Sequence, residues 1–285
     1  MKDSTTASTN MSGTFLLGGK LPIRRLGFGA MRITGPNIWG NPQDINQAKA
    51  VLKRSLELGV NFIDTADSYG PEISENLIAE ALYPYPSDLV IATKGGLVRP
   101  KPEAWVPLGR PEYLMQCVEM SLRRLRLDSI PLYQLHAIDP SIPLEESLGA
   151  LKLMQEQGKI RYIGLSNFNI PELERAKKVV DFVSIQNHYN LANRRSEDVL
   201  KYCEKHLLGF IPWFPLGSGE LLNQKNILKL AKEKGNTSAQ VALAWLLKRS
   251  PVMLPIPGTS SLSHLEENVL ASQITLNEKE FAALE

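Results

Sequence analysis

The segment INQAKAVLKRSLELGVNFIDTA, Ile45–Ala66, reads as two elements in series. Residues 45–59 space their apolar side chains at helical intervals and stop at Gly59, a residue that readily ends a helix. VNFIDTA (60–66) is short and apolar, the pattern of a strand covered on both faces. Working outward, the alternation recurs along the chain. RRLGFGAM (24–31) supplies a first strand, and later ones are expected at 88–94, 131–137, 161–167, 182–188, 209–215 and 251–257. Helices are expected in ISENLIAEAL, PEYLMQCVEMSLRRL, LEESLGALKLMQEQ, PELERAKKV, EDVLKYCEKH, TSAQVALAWLLKR and, after the eighth strand, LSHLEENVLA.

Eight strand–helix units predict an α/β fold of the (β/α)8, or TIM-barrel, type rather than an open doubly wound sheet. The open sheet would want a G-x-G-x-x-G turn after its first strand, and GFGAMR places Arg32 where the third glycine belongs. Upstream, TFLLGGKLPIRRL reads as a β-hairpin through Gly18-Gly19 that closes the bottom of the barrel. No composition shift divides the chain. A single domain over 14–285 is expected, after a disordered lead-in at 1–13.

The 285 residues are 43% hydrophobic and 22% charged with a net charge of +2, which suits a well-cored globule. Basic residues are scattered among acids, so no stripe argues for nucleic acid. No apolar run reaches membrane-spanning length, and the polar N-terminus has no secretory core. Cys117 and Cys203 lack C-x-x-C spacing and are expected as free thiols in a reducing, cytoplasmic setting. No Cys/His spacing suggests a metal. A monomer or weak homo-oligomer is expected.

Barrels of this type carry their chemistry at the C-terminal ends of the strands. There the second strand presents Asp64, with Asp67 and Tyr69 just beyond; the third presents Lys94 and the fourth His136. The fifth ends in Ser166-Asn167, the sixth in Gln186-Asn187-His188, and the seventh reaches Trp213. Lys94 enters behind the apolar run LVIAT, so its ammonium needs a partner, and Asp64 on the neighbouring strand is the natural one. A cation beside Tyr69 is expected to lower its pKa from about 10 towards neutrality, making it a general acid for a carbonyl oxygen. His136 could position that oxygen. Singly, each has a plainer reading: a strand-end Asp as turn or cap, Tyr69 as a turn aromatic, Lys94 snorkelling to solvent, His136 as a satisfied core histidine. Their convergence on successive strands favours a proton-transfer set, with Asp67 left as a turn residue.

These stretches bring in a family likeness. From about Thr14 onward the chain resembles the aldo-keto reductases, through GFGAMR, NFIDTADSYG, IATKGG, QLHAID, IGLSNF, SIQNHYN, WFPLGSG and IPGTSSLSHLEEN. Part of the pattern is similar to a bacterial branch that includes pyridoxal reductases. The resemblance implies hydride transfer from NADPH to an aldehyde, with pyridoxal a candidate, or to a ketone, and a catalytic tetrad of Asp64, Tyr69, Lys94 and His136. It implies that Ser166, Asn167 and Gln186 hold the nicotinamide carboxamide while Trp213 stacks on the ring. Gly29, Ala30 and Met31 would lie near the nicotinamide, and Asp64 near its ribose. Phe214, Pro215, Leu216, Gly217 and Ser218 would cover the pyrophosphate. Thr259, Ser260 and Ser261 would meet the phosphates, and Glu267 and Asn268 the adenine.

Two departures bear on these expectations. Gly258 and His264 stand where many members carry a lysine and an arginine for the 2′-phosphate, so fewer charged contacts support NADPH over NADH. The sequence also lacks the long C-terminal tail that closes many family pockets. Loops 33–44 and 97–110 are therefore expected to form the substrate site, with Trp39 and Trp105 as walls. The alternative is a nucleotide-binding regulatory subunit of the same fold with little turnover.

Overall fold

The structure is a computed structural model and describes residues 8–217 and 220–285. Strands β1 (Thr14–Leu17) and β2 (Leu21–Arg24) pair antiparallel as the expected hairpin. Gly18 and Gly19 turn it at φ of 57° and 72°, which glycine adopts without the steric cost of a Cβ. The hairpin covers the N-terminal ends of the barrel strands: Gly18 lies against Tyr162, and Phe15 and Leu17 approach Gly209.

The barrel wall consists of β3 (Phe28–Gly29), β4 (Phe62–Asp64), β5 (Val90–Gly95), β8 (Ile130–Leu135), β9 (Ile160–Ser166), β10 (Phe182–His188) and β11 (Gly209–Trp213), each parallel to the next. Between β5 and β8 a small antiparallel ribbon, β6 (Leu97–Val98) and β7 (Val106–Pro107), rises over the mouth.

The eighth expected strand, 251–257, is corrected. It is an extended segment between β11 and β3, joined by a bridge from Phe210 to Met253 and by Gly27 and Gly29 amides donating to the Pro255 and Pro257 carbonyls. Pro251, Pro255 and Pro257 have no N–H to donate, so no regular ladder forms, yet the gap in the wall is filled. The first strand is likewise shorter than 24–31. Arg24 belongs to the hairpin, and Ala30–Ile33 turns into a 3-10 helix.

Helices α1 (Ile45–Glu57), α2 (Ile73–Leu82), α3 (Pro111–Leu125), α4 (Leu144–Glu156), α5 (Ile170–Ala176), α6 (Glu197–His206), α7 (Lys225–Lys234), α8 (Ser238–Arg249), α9 (Leu262–Leu270) and α10 (Glu278–Leu284) lie outside the wall. In α1, Asp44 caps the start by accepting from the Gln47 amide, and Gly59 at φ 84° follows the end. The helix buries Ala48, Val51 and Leu52 against Phe28 and Ile63, each larger side chain contributing about 1.5–3 kcal/mol.

The lead-in also needs a correction. Residues 1–7 lie outside the described set, but Thr9–Ser12 form a 3-10 turn with Thr9 and Ser12 buried. The Thr9 amide donates to the Leu58 carbonyl, so this piece is tied to the end of α1 rather than disordered.

Candidate active site

β5 is buried along its whole length, and its last inward turn delivers Lys94 with no exposure to solvent. The Lys94 ammonium donates to Asp64 Oδ1 at 2.6 Å, to the Thr65 carbonyl at 2.8 Å and to the Tyr69 hydroxyl at 3.2 Å. All three donors of the cation are thereby used. Asp64 Oδ2 accepts from Gln186 Nε2 at 2.8 Å and Gln134 Nε2 at 3.0 Å. His136 follows β8, its Nδ1 3.3 Å from Ser68 Oγ and its ring edge-on to Tyr69 at 5.9 Å. The structure therefore brings Asp64, Tyr69, Lys94 and His136 into one cluster.

Burial alone would lower Lys94, but Asp64 and Tyr69 outweigh it and hold the ammonium above its ordinary value. Burial, with Lys94 adding to it, drives His136 well below its ordinary value, so the imidazole is neutral. For Tyr69 the expected direction is corrected. Burial pushes the phenol above its ordinary value, and the pull from Lys94 only partly offsets it. Asp67 is also more than a turn residue. It is buried, and burial followed by the charge of Glu75 raises its pKa to about 7.

This cluster forms the floor of a cavity of about 480 Å³. Gly29, Met31, Asp64, Tyr69 and His136 line it on one side, Ser166, Asn167, Gln186 and Trp213 on the other. Phe214, Pro215, Leu216 and Gly217 edge it beyond β11, and Gly258 lies at its far end. Trp213 stacks on His188, centroids 4.1 Å apart and planes 11° from parallel, and its Nε1 donates to Asn167 Oδ1 at 3.0 Å. Asn167 takes φ 64°, and its Nδ2 donates to the His136 carbonyl and to Ser166 Oγ. Gln186 does not leave its amide free: Nε2 serves both Asp64 and Gln134 Oε1.

The remaining expected residues fall elsewhere. Ala30 is buried behind the wall. Thr259 and Ser260 line a neighbouring cavity of about 600 Å³ with Arg32 and Gln47. Ser261 caps α9 by accepting from the His264 amide. Glu267 accepts from the Thr237 hydroxyl, Asn268 is buried, and neither lines a described cavity. Ser218 lies outside the described residues. Trp105 lines the main cavity, but Trp39 does not; Ile38 takes that wall, and the Trp39 ring lies 5.6 Å from the Arg99 guanidinium.

Several residues escaped the sequence reading. Gln134, which holds both Asp64 and Gln186, sits two residues before His136 on β8, so strand periodicity could have placed it facing inward. Arg32, noted only for breaking the glycine fingerprint, lines both cavities and makes no hydrogen bond or ion pair among the described residues. Among those residues no group of three His, Cys, Asp or Glu could hold a metal, and Cys117 and Cys203 are buried free thiols.

A parallel barrel whose strand ends gather a buried Lys–Asp–Tyr cluster and a neutral histidine beneath an aromatic-walled cavity has its candidate site at the end where enzymes of this fold carry theirs. The chain belongs to the Aldo/keto reductase family, whose sequence model matches residues 25–285. It is 50% identical over 283 residues to an uncharacterized oxidoreductase of Schizosaccharomyces pombe, covering 99% of this chain and 92% of that one. It is 41% identical over 280 residues to pyridoxine 4-dehydrogenase of Escherichia coli, covering 96% and 98%. Among solved structures, an aldo-keto reductase from Klebsiella pneumoniae in complex with NADPH superposes with a TM-score of 0.82 at 27% identity, covering 95% of this chain and 93% of that one.

Proposed function

We propose that the protein is an NADP(H)-dependent reductase of a flat aldehyde, with the pyridoxal–pyridoxine pair heading the list of substrates. The observation that carries this reading is the buried chain Asp64–Lys94–Tyr69 opening at its phenol end into the cavity. The name of the 41% identical relative supports the substrate, and the NADPH-bound neighbour supports the cofactor.

The cavity suits a dinucleotide with a flat amide-bearing ring. Trp213 presents an indole held from behind by His188, and Ser166, Asn167 and Gln186 surround it with amide and hydroxyl groups. At the other end, beside Gly258, Arg32 offers a cation without a partner among the described residues. When bound, NADPH supplies the hydride. The protein's part is proton delivery. Because burial keeps the Tyr69 phenol protonated at neutral pH, it is loaded to donate to the carbonyl oxygen. Lys94, fixed in charge by Asp64, stabilises the phenolate left behind. His136, neutral, donates a hydrogen bond to the same oxygen without competing for the proton.

The test is NADPH consumption with pyridoxal and simple aromatic aldehydes, using the native protein and Tyr69→Phe. The variant is expected to lose about 10²–10⁴-fold in kcat while binding NADPH normally. Full turnover in the variant would remove Tyr69 from the acid role, and NADPH binding without turnover in the native protein would favour the regulatory alternative.

A further inference from the structure

Arg99 follows the β6 strand, and its buried side chain forms no salt bridge among the described residues, Glu103 acting on it only at longer range. Its guanidinium instead collects backbone carbonyls from three loops. Nη1 donates to the Ile38 and Ser68 carbonyls, each at 3.2 Å. Nη2 donates to the Asn37 carbonyl at 3.1 Å and to that of Pro102. The same group lies over the Trp105 ring, its central carbon 3.5 Å from the centroid. Trp105 in turn meets Tyr69 and His136 edge-on, at 6.3 and 6.4 Å.

The loop it holds is strained. Asn37 and Ile38 both take positive φ, 57° and 58°. For a β-branched residue this region is an outlier that persists only where the surroundings over-determine it. Here the Ile38 carbonyl is fixed twice, by Arg99 and by the Gly70 amide at 3.2 Å. Ile38 and Trp105 both line the main cavity, and Arg99 touches each directly, the one at its carbonyl and the other at its ring. One guanidinium therefore joins loop 36–40, the turn carrying Ser68 and Tyr69, and loop 97–107.

We propose that Arg99 is a positioning residue for substrate selection, clamping Ile38 and Trp105 against the Tyr69–His136 pair so that the site prefers flat aromatic aldehydes over small aliphatic ones. This rests on the reductase reading of the cavity. Arg99 does not touch the reacting atoms; it acts through the two walls. Geometry matters more than charge, because a planar fork with five donors spans four carbonyls and stacks on an indole, whereas an ammonium can do neither.

The experiment measures kcat and KM for benzaldehyde, pyridoxal and propanal, with NADPH affinity by fluorescence titration, in the native protein, Arg99→Ala and Arg99→Lys. Both variants are expected to raise KM for the two aromatic aldehydes about tenfold or more, with propanal kcat/KM and NADPH affinity changed less than about threefold. Added ethylguanidinium should restore aromatic KM in Arg99→Ala and leave the native protein unchanged. Equal losses for propanal and benzaldehyde, full selectivity in Arg99→Lys, or no rescue by ethylguanidinium would overturn the clamp. If Arg99→Ala does not fold, the selectivity of Arg99→Lys decides. Failure of the native protein to bind NADPH would instead overturn the reductase reading, and the clamp with it.

Discussion

The Lys94 ammonium lies 2.6 Å from Asp64 Oδ1, with the lysine side chain fully buried and the aspartate 3% exposed. Removing one member of such a pair leaves the other charge without compensation. Replacing both removes the desolvation cost together with the attraction. Lys94→Met is therefore expected to destabilise the fold by about 3–5 kcal/mol, since the buried Asp64 loses its cationic partner. Gln134 and Gln186 still donate to Asp64 Oδ2, which favours the lower end of that range. In Lys94→Met/Asp64→Asn the loss should be smaller than the sum of the single losses. Urea denaturation of the four proteins measures this, and strict additivity would mean that the two residues are not coupled.

Arg32 is the second point of prediction. Gly258 cannot supply a cation of its own: a Cβ there would fall 2.4 Å from the Gly29 carbonyl oxygen, where barrel closure brings the two segments together. The same position lies 3.7 Å from Arg32 Cγ, so the arginine occupies the space beside it. Arg32→Ala is expected to weaken NADPH binding about tenfold, or about 1.4 kcal/mol, and NADH binding much less. Quenching of tryptophan fluorescence by each cofactor checks this. Equal weakening of both would assign Arg32 to the part of the cofactor that the two share.

The legible parts of this molecule are those written in local periodicity. The sequence placed α2 and α3 at their observed limits, because each is a run of good helix formers with one buried face. The clustering of Asp64, Tyr69, Lys94 and His136 was legible because they close three successive strands, Asp64 and Tyr69 sharing one, and a parallel barrel gathers those strand ends at one mouth. What escaped depends on the assembled interior. Three prolines turned the eighth strand into a spacer, and α7, with its strongly charged KNILKLAKEK, did not stand out from a loop. Tyr69 was given the wrong direction because the sequence shows its cationic neighbour but not the depth of burial that outweighs it. The carbonyls that Arg99 collects are about 30 to 60 residues away on one side and three on the other, a juxtaposition with no local pattern.

Asp67 supports a prediction about pH. Its Oδ1 is buried without a hydrogen-bond partner, while the main chain on either side is pinned, its amide donating to the Lys94 carbonyl and its carbonyl accepting from the Glu72 amide. The carboxyl is 8% exposed at the edge of a cavity lined by Tyr113, Cys117 and Arg124, and this burial disfavours its ionised form. Its pKa is raised, by burial first and by Glu75 second, to about 7, against an ordinary value of about 3.9. The protonated form is thus the one the fold favours. Its contribution is complete below about pH 4, is lost progressively as pH rises towards 7, and stays lost above that. Over that interval the linkage amounts to about 4 kcal/mol as an order of magnitude. Asp67→Asn removes the titration while keeping the shape. Relative to the native protein, the variant should therefore be more stable at pH 8 than it is at pH 5. Urea midpoints of the two proteins at both pH values measure the difference, and a gap that does not change with pH would show that Asp67 is ionised throughout.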